Sequence, residues 1–190
     1  MQSLTQPVRA FTLSTLILTG FALTAFVVSP DTPADEDIPT WAMDHMTRMI
    51  GRWVTSNAAY QSEAEPYAAY GMAWAWGLGQ QSMTGRLFGL QEGKEVGTFW
   101  EFRVFWHPGE QQLKMMQFGG NGTVGIGSIE DRGEHKTEAL QTFYAPDGSA
   151  SRVRHREELM DGERHAHSFD VDKDGVWTAR RSYIWRPASY

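Results

Sequence analysis

The chain has 190 residues, 41% hydrophobic and 13% aromatic, a composition that supports one packed domain and excludes extended disorder for most of its length. Its formal net charge is −6, so a nucleic-acid partner, which needs a clustered positive face for phosphates, is not expected. There is no cysteine, which excludes disulfides, thiolate metal sites and a cysteine nucleophile.

Residues 10–28, AFTLSTLILTGFALTAFVV, carry no charge, follow Arg9 and give way at Ser29-Pro30 to the acidic stretch DTPADED. This is the layout of an export signal, read here as residues 1–30. No clean Ala-x-Ala site precedes the polar stretch, so an uncleaved N-terminal membrane anchor is the alternative. Either way the protein is expected to be exported, periplasmic or secreted, and to touch a membrane only through that segment. Residues 31–39 then form an acidic linker, and residues 40–190 the folded domain.

Thr40 is placed to cap a short helix running to about Met49, with Ala42, Met46, Met49 and Ile50 as its apolar stripe. From Gly51 onward the apolar pattern has period two. Turn signals recur at LGQQ, QEGK, HPGE, GNGT, DRGE, PDGS, MDGE and DKDG, and no segment between them is long enough for a βαβ crossover. The spacing predicts ten strands, near 51–58, 67–77, 82–90, 96–106, 112–119, 123–130, 135–144, 151–160, 163–171 and 176–186. Such a meander should close on itself and so remove its edges. The expected fold is therefore all-β, an antiparallel up-and-down barrel of eight to ten strands with a short N-terminal helix.

Hairpin register predicts which side chains share a face. The stretch YGMAWAWG alternates bulky Tyr70, Met72, Trp74 and Trp76 with Gly71, Ala73, Ala75 and Gly77. Pairing Leu78 with Gln81 places Trp76 opposite Met83, Trp74 opposite Gly85 and Met72 opposite Leu87; pairing Gln91 with Lys94 adds Thr98, Trp100, Phe102, Val104 and Trp106 to the same face. Two-residue turns at Asn121-Gly122 and Asp147-Gly148 carry that face through Leu113, Met115, Gln117, Val124, Ile126, Ser128, Glu138, Leu140, Thr142 and Tyr144 to Val153, His155, Glu157 and Leu159. It ends on Ala166, Ser168, Trp177, Ala179, Arg181, Tyr183 and Trp185. The opposite face collects Arg86, Glu101, Arg103, Arg152, Arg154, Arg156, His165 and His167, so the aromatic face is expected inside. Gly71, Ala73 and Ala75 would then leave a smooth outer strip fit for a helix or a second copy in a homodimer.

Gly51-Arg52-Trp53, opening the first strand directly after a short helix, resembles the G-x-W motif of lipocalins and their calycin relatives, and the chain as a whole is similar to exported bacterial lipocalin-like domains. The resemblance implies a barrel in which Trp53 packs across the floor, with an arginine of the last strand, here Arg181, lying over it. Related barrels of the nitrobindin type bind haem through a histidine near the C-terminal strands. His165 and His167 lie in that region, but the register turns them outward, and neither haem nor any other cofactor is carried over.

Two kinds of site residue follow. An aromatic interior of Trp53, Trp74, Trp76, Trp100, Phe102, Trp106, Tyr144 and Tyr183 is suited to a small apolar or amphipathic molecule. Among these rings the register places Gln117, Glu138, His155, Glu157 and Arg181. That polar patch reads as an internal salt-bridge network, as groups that orient a ligand, or as an acid/base pair of His155 and Glu157. The pair His165 and His167 reads as an exposed polar face opposite Glu158 and Arg156, and no metal is expected there. The functional expectation is an extracytoplasmic small-molecule binding protein; the alternative is an isomerase, cyclase or hydrolase of a lipophilic substrate using His155 and Glu157.

Overall fold

The structure is a computed structural model and describes residues 37–188; the expected export segment lies outside the described residues. Within them one α-helix, α1 (Thr40–Met49), precedes ten strands. These are β1 (Gly51–Ser56), β2 (Ala69–Trp76), β3 (Ser82–Gln91), β4 (Lys94–His107) and β5 (Gln112–Gly119). They continue as β6 (Val124–Asp131), β7 (Lys136–Tyr144), β8 (Ala150–Met160), β9 (Glu163–Val171) and β10 (Trp177–Pro187). Each strand pairs antiparallel with its neighbours in the chain, and β1 meets β10 to close the barrel. That closing pair is short, Trp53 with Pro187 and Val54 with Arg186. Two bonds reinforce it: Thr55 Oγ1 donates to the Ile184 carbonyl (2.9 Å), and the Ala188 N–H donates to that of Arg52 (2.9 Å).

The helix packs its buried side, Ala42, His45, Met46 and Met49, into the same core as Trp53, Leu113, Ile129 and Trp185, and so covers one end of the barrel. Pro39 sits at its N-cap position and no side chain caps it, so Thr40 is the first helical residue and not the expected cap. Gly51, at φ 121°, makes the turn from helix into β1.

In β2 the expected register holds. Trp76 lies opposite Met83, Trp74 opposite Gly85 and Met72 opposite Leu87, with the bulky side in. Trp74 stacks on Phe102 at 5.1 Å, in space that a side chain on Gly85 would fill. The bare outer side is not left smooth. Phe88 lies flat on Gly71, fully buried, with the guanidinium groups of Arg52 and Arg86 over its ring at 4.9 and 4.5 Å and Glu95 bridging the two arginines. Such a ring between a glycine and two cations is covered without any second element.

Four corrections follow farther along. Two extra residues between Val96 and Trp100 place Leu87 opposite Trp100 and Gly85 opposite Phe102, leaving Thr98 exposed. The turn after β5 holds three residues, not two. The Gly119 N–H reaches the Thr123 carbonyl (2.8 Å) and Gly122 takes φ 86°. This one-residue difference reverses both following strands, because side chains alternate with period two. Gly125, Gly127 and Ile129 of β6 and Thr137, Ala139, Gln141 and Phe143 of β7 face in; Val124, Ile126, Ser128, Glu138, Leu140, Thr142 and Tyr144 face out. The turn before β8 is also one residue longer than expected, with the Ala145 N–H on the Ser149 carbonyl (2.9 Å), and the second slip cancels the first. His155 therefore faces in as expected, but opposite Ala139 and not Leu140. Finally, a bulge between Ala179 and Arg181 turns Trp177 and Ala179 outward, and Arg154 lies over the Trp177 ring at 4.1 Å.

Candidate functional site

The barrel encloses a cavity of about 630 Å³, a volume suited to a ligand of drug or lipid size. Its wall is mostly rings and thioethers: Trp74, Trp100, Phe102, Phe143, Tyr183 and Met115. The glycines of β6 make room for part of it. Phe143 occupies the place a side chain on Gly125 would take, and its ring meets that of Trp100 edge-on at 5.7 Å.

Polar groups gather at the two ends. At the open end the chain between β1 and β2 reaches across the cavity through Ala64 and Glu65. Glu65 takes both Arg181 Nη1 (2.8 Å) and Arg181 Nη2 and accepts from the Tyr70 hydroxyl (3.1 Å). Arg181 Nη1 also reaches the Tyr183 hydroxyl (3.1 Å), which in turn donates to Asn57 Oδ1 (2.9 Å). The Arg181 hydrogen bonds hold the Glu65 carboxyl below the usual range, and the same pairing raises Arg181. Burial and then the Glu65 bond push Tyr70 up to about 12. The cluster is an ionised, fully engaged clamp over the mouth.

At the helix-covered end Arg164 of β9, 3% exposed, lies over the Trp53 ring at 5.2 Å and gives Nη2 to Glu157 Oε1 at 2.8 Å. Trp53 Nε1 donates to the Met49 carbonyl (2.9 Å). Burial is the largest influence on Glu157 and works to raise it, but the Arg164 charge and hydrogen bond, together with the two neighbouring histidines, outweigh it, so the carboxyl lies below its ordinary value and is ionised. Two histidines flank this pair. Burial lowers His45 of α1 to about 4 and lowers His155 as well, so both are neutral near pH 7. His155 Nε2 has no hydrogen-bond partner, and the second oxygen of Glu157 is likewise without one among the described residues. Midway, Gln117 Nε2 donates to Gln141 Oε1 at 2.6 Å.

The structure thus brings His155, Glu157, Trp74, Trp100, Phe102, Gln117, Arg181 and Tyr183 to one cavity wall. It places others elsewhere. Trp53 is buried beneath the cavity, and the arginine over it is Arg164 rather than Arg181, which the β1–β2 segment engages through Glu65. Trp76 packs against the core, and Trp106 meets the Trp41 ring edge-on at 6.3 Å, both away from the cavity lining. Glu138 is on the outer face, where Arg132 and Arg156 each reach it at 2.8 Å and Arg154 at 3.7 Å; Tyr144 is outside and half exposed. Both moved with the reversed register of β7. His165 and His167 do sit outward, opposite Glu158 and Arg156.

The sequence pattern does not mark His45, Glu65, Tyr70, Arg164 and Gln141 as polar site residues. Two carried a readable signal. His45 lies three residues after Ala42 and four before Met49, on the apolar stripe. Arg164 pairs opposite the inward-facing Leu159 across the two-residue Asp161-Gly162 turn. Glu65 sits in a segment with no periodicity and had none.

No family model matches the chain, and no curated protein matches it. Among solved structures, a crystal structure of Rv2717c from M. tuberculosis is similar at a TM-score of 0.48 with 11% identity, covering 80% of this chain and all of that one.

Proposed function

We propose that this is an exported, calycin-like carrier that holds a small apolar or amphipathic molecule inside its barrel. The observation that carries the reading is the cavity of about 630 Å³ walled by aromatic and thioether side chains. Close packing fills ordinary barrel interiors, and an apolar space of this size is costly to keep unless a ligand uses it. Export is supported by the uncharged stretch 10–28 after Arg9, and the calycin relationship by Gly51-Arg52-Trp53 behind a short helix with an arginine over the tryptophan.

The test fills the space. A lipophilic fluorescent probe titrated into the wild-type protein should saturate at one site. Ala166→Phe, which projects a ring into the cavity from β9, should abolish that site while the far-ultraviolet circular dichroism stays unchanged. Probe binding that survives the filling substitution would place the site elsewhere and overturn the reading. Expression of the full chain in a bacterial host, followed by fractionation, tests export separately.

A further inference from the structure

The carrier reading does not say what polar group the ligand bears, but the pattern of engaged and free groups around the cavity does. Each arginine near the cavity already has a partner. Arg181 is held by Glu65 and Tyr183, Arg164 by Glu157 and the Trp53 face, and Arg180, at the rim, reaches Asp170 at 3.4 Å. His167 belongs to the outer face beside Arg156. His45 and His155 are neutral imidazoles kept so by burial.

What is left unengaged on the cavity wall carries no positive charge: Trp74 Nε1 is a neutral N–H donor without a partner, and the other free groups stand together at the helix-covered end. One oxygen of the ionised Glu157 and Nε2 of His155 lack partners, and the two residues stand two apart on the inner face of β8, about 7 Å between Cα atoms. A carboxylate or phosphate brought to this end would shed its water, meet a negative charge and find no free cation. A hydroxyl meets the opposite situation, because it donates to the carboxylate or imidazole and accepts from an imidazole N–H.

Resting on the carrier reading, we infer that the cavity takes an uncharged lipophilic alcohol, its hydroxyl held between Glu157 and His155, and discriminates against the corresponding carboxylate. Glu157 has two roles in this: it accepts from the hydroxyl and it occupies Arg164, the cation an acid would otherwise use. The direction is opposite to that of a barrel with a free interior arginine.

Dodecanol and dodecanoate share one chain and differ only in the head group, and methyl dodecanoate accepts hydrogen bonds without donating any. Tryptophan fluorescence titrations at pH 7 should give a Kd for dodecanol about tenfold or more below that for dodecanoate, with the ester between them. In Glu157→Gln, which leaves Arg164 uncompensated, the order should invert. Should that variant fail to fold, His155→Phe serves instead: the alcohol should weaken about tenfold and the ester should not. Dodecanoate binding as tightly as dodecanol to the wild type, or ratios unmoved by these substitutions, overturns the alcohol inference and leaves the carrier reading standing. Absence of binding by all three compounds overturns both.

Discussion

Strands β2 and β6 both alternate glycine or alanine with larger apolar residues, and they turn opposite sides to the interior. In β2 the large residues Tyr70, Trp74 and Trp76 face in and Gly71 faces out. In β6 Gly125 and Gly127 face in, while Ile126, 41% exposed, faces water. Hydrophobicity alone therefore does not orient a glycine-alternating strand. The neighbour does. Phe88 of β3 is on the outer face and needs the bare Gly71 to lie on, whereas Phe143 and Gln141 of β7 are on the inner face and need Gly125 and Gly127. Each glycine accepts the side chain of the strand beside it, so the smaller side of the strand belongs wherever that larger neighbour already is.

The largest effect expected from breaking this arrangement is at Gly127. A methyl group there would run into the Leu140 carbonyl oxygen and lie 2.7 Å from the Gln141 Cα, so backbone must move. Gly127→Ala should cost more than about 3 kcal/mol, read from the urea midpoint at unchanged slope. A tolerated alanine would mean that β6 presents its other side. Gly71→Ala comes next, at about 2 kcal/mol, since Phe88 is fully buried and held from above by Arg52 and Arg86. In a Phe88→Ala background the same change should be nearly neutral, and a coupling energy near zero would refute the packing described for the outer face.

Gly125→Ala should cost less, about 1 kcal/mol, because the ring it displaces, Phe143, lines the cavity and has space to move into. Its signature is a smaller site, seen as weakened probe binding. Ile126→Thr should be the mildest, within about 0.5 kcal/mol, as for other exposed positions. A loss of 2 kcal/mol or more there would overturn the outward assignment of β6.

The amount of the site legible in advance follows from the same geometry. Hairpins whose turns have the expected length transmit the correct face, which puts Trp74, Trp100, Phe102 and Gln117 at the interior; Arg181 and Tyr183 come back to it only because the bulge between Ala179 and Arg181 restores their side in β10. Glu138 and Tyr144 were misplaced by one residue in one turn. GGNGT permits either a two- or a three-residue loop, and the apolar Val124 and Ile126 favoured the wrong choice. His155 and Glu157 were recovered because the turn at Ala145–Ser149 added a second residue of slip. The agreement in β8 therefore owed something to cancellation.

Sequence by itself determined the class of fold and the number of strands, because turn residues at short intervals and period-two alternation are local properties that each segment carries alone. It determined too that the interior would be aromatic. Tertiary structure decided which carboxylate meets which arginine. Glu65 joins Arg181 across 116 positions, Arg164 rather than Arg181 covers Trp53, and His45 comes from the helix to stand by Glu157. Such pairings depend on bulges, turn lengths and a segment without periodicity. A one-residue difference in any of them exchanges inside for outside, and only the closed barrel, with every strand paired on both sides, leaves no freedom in that choice.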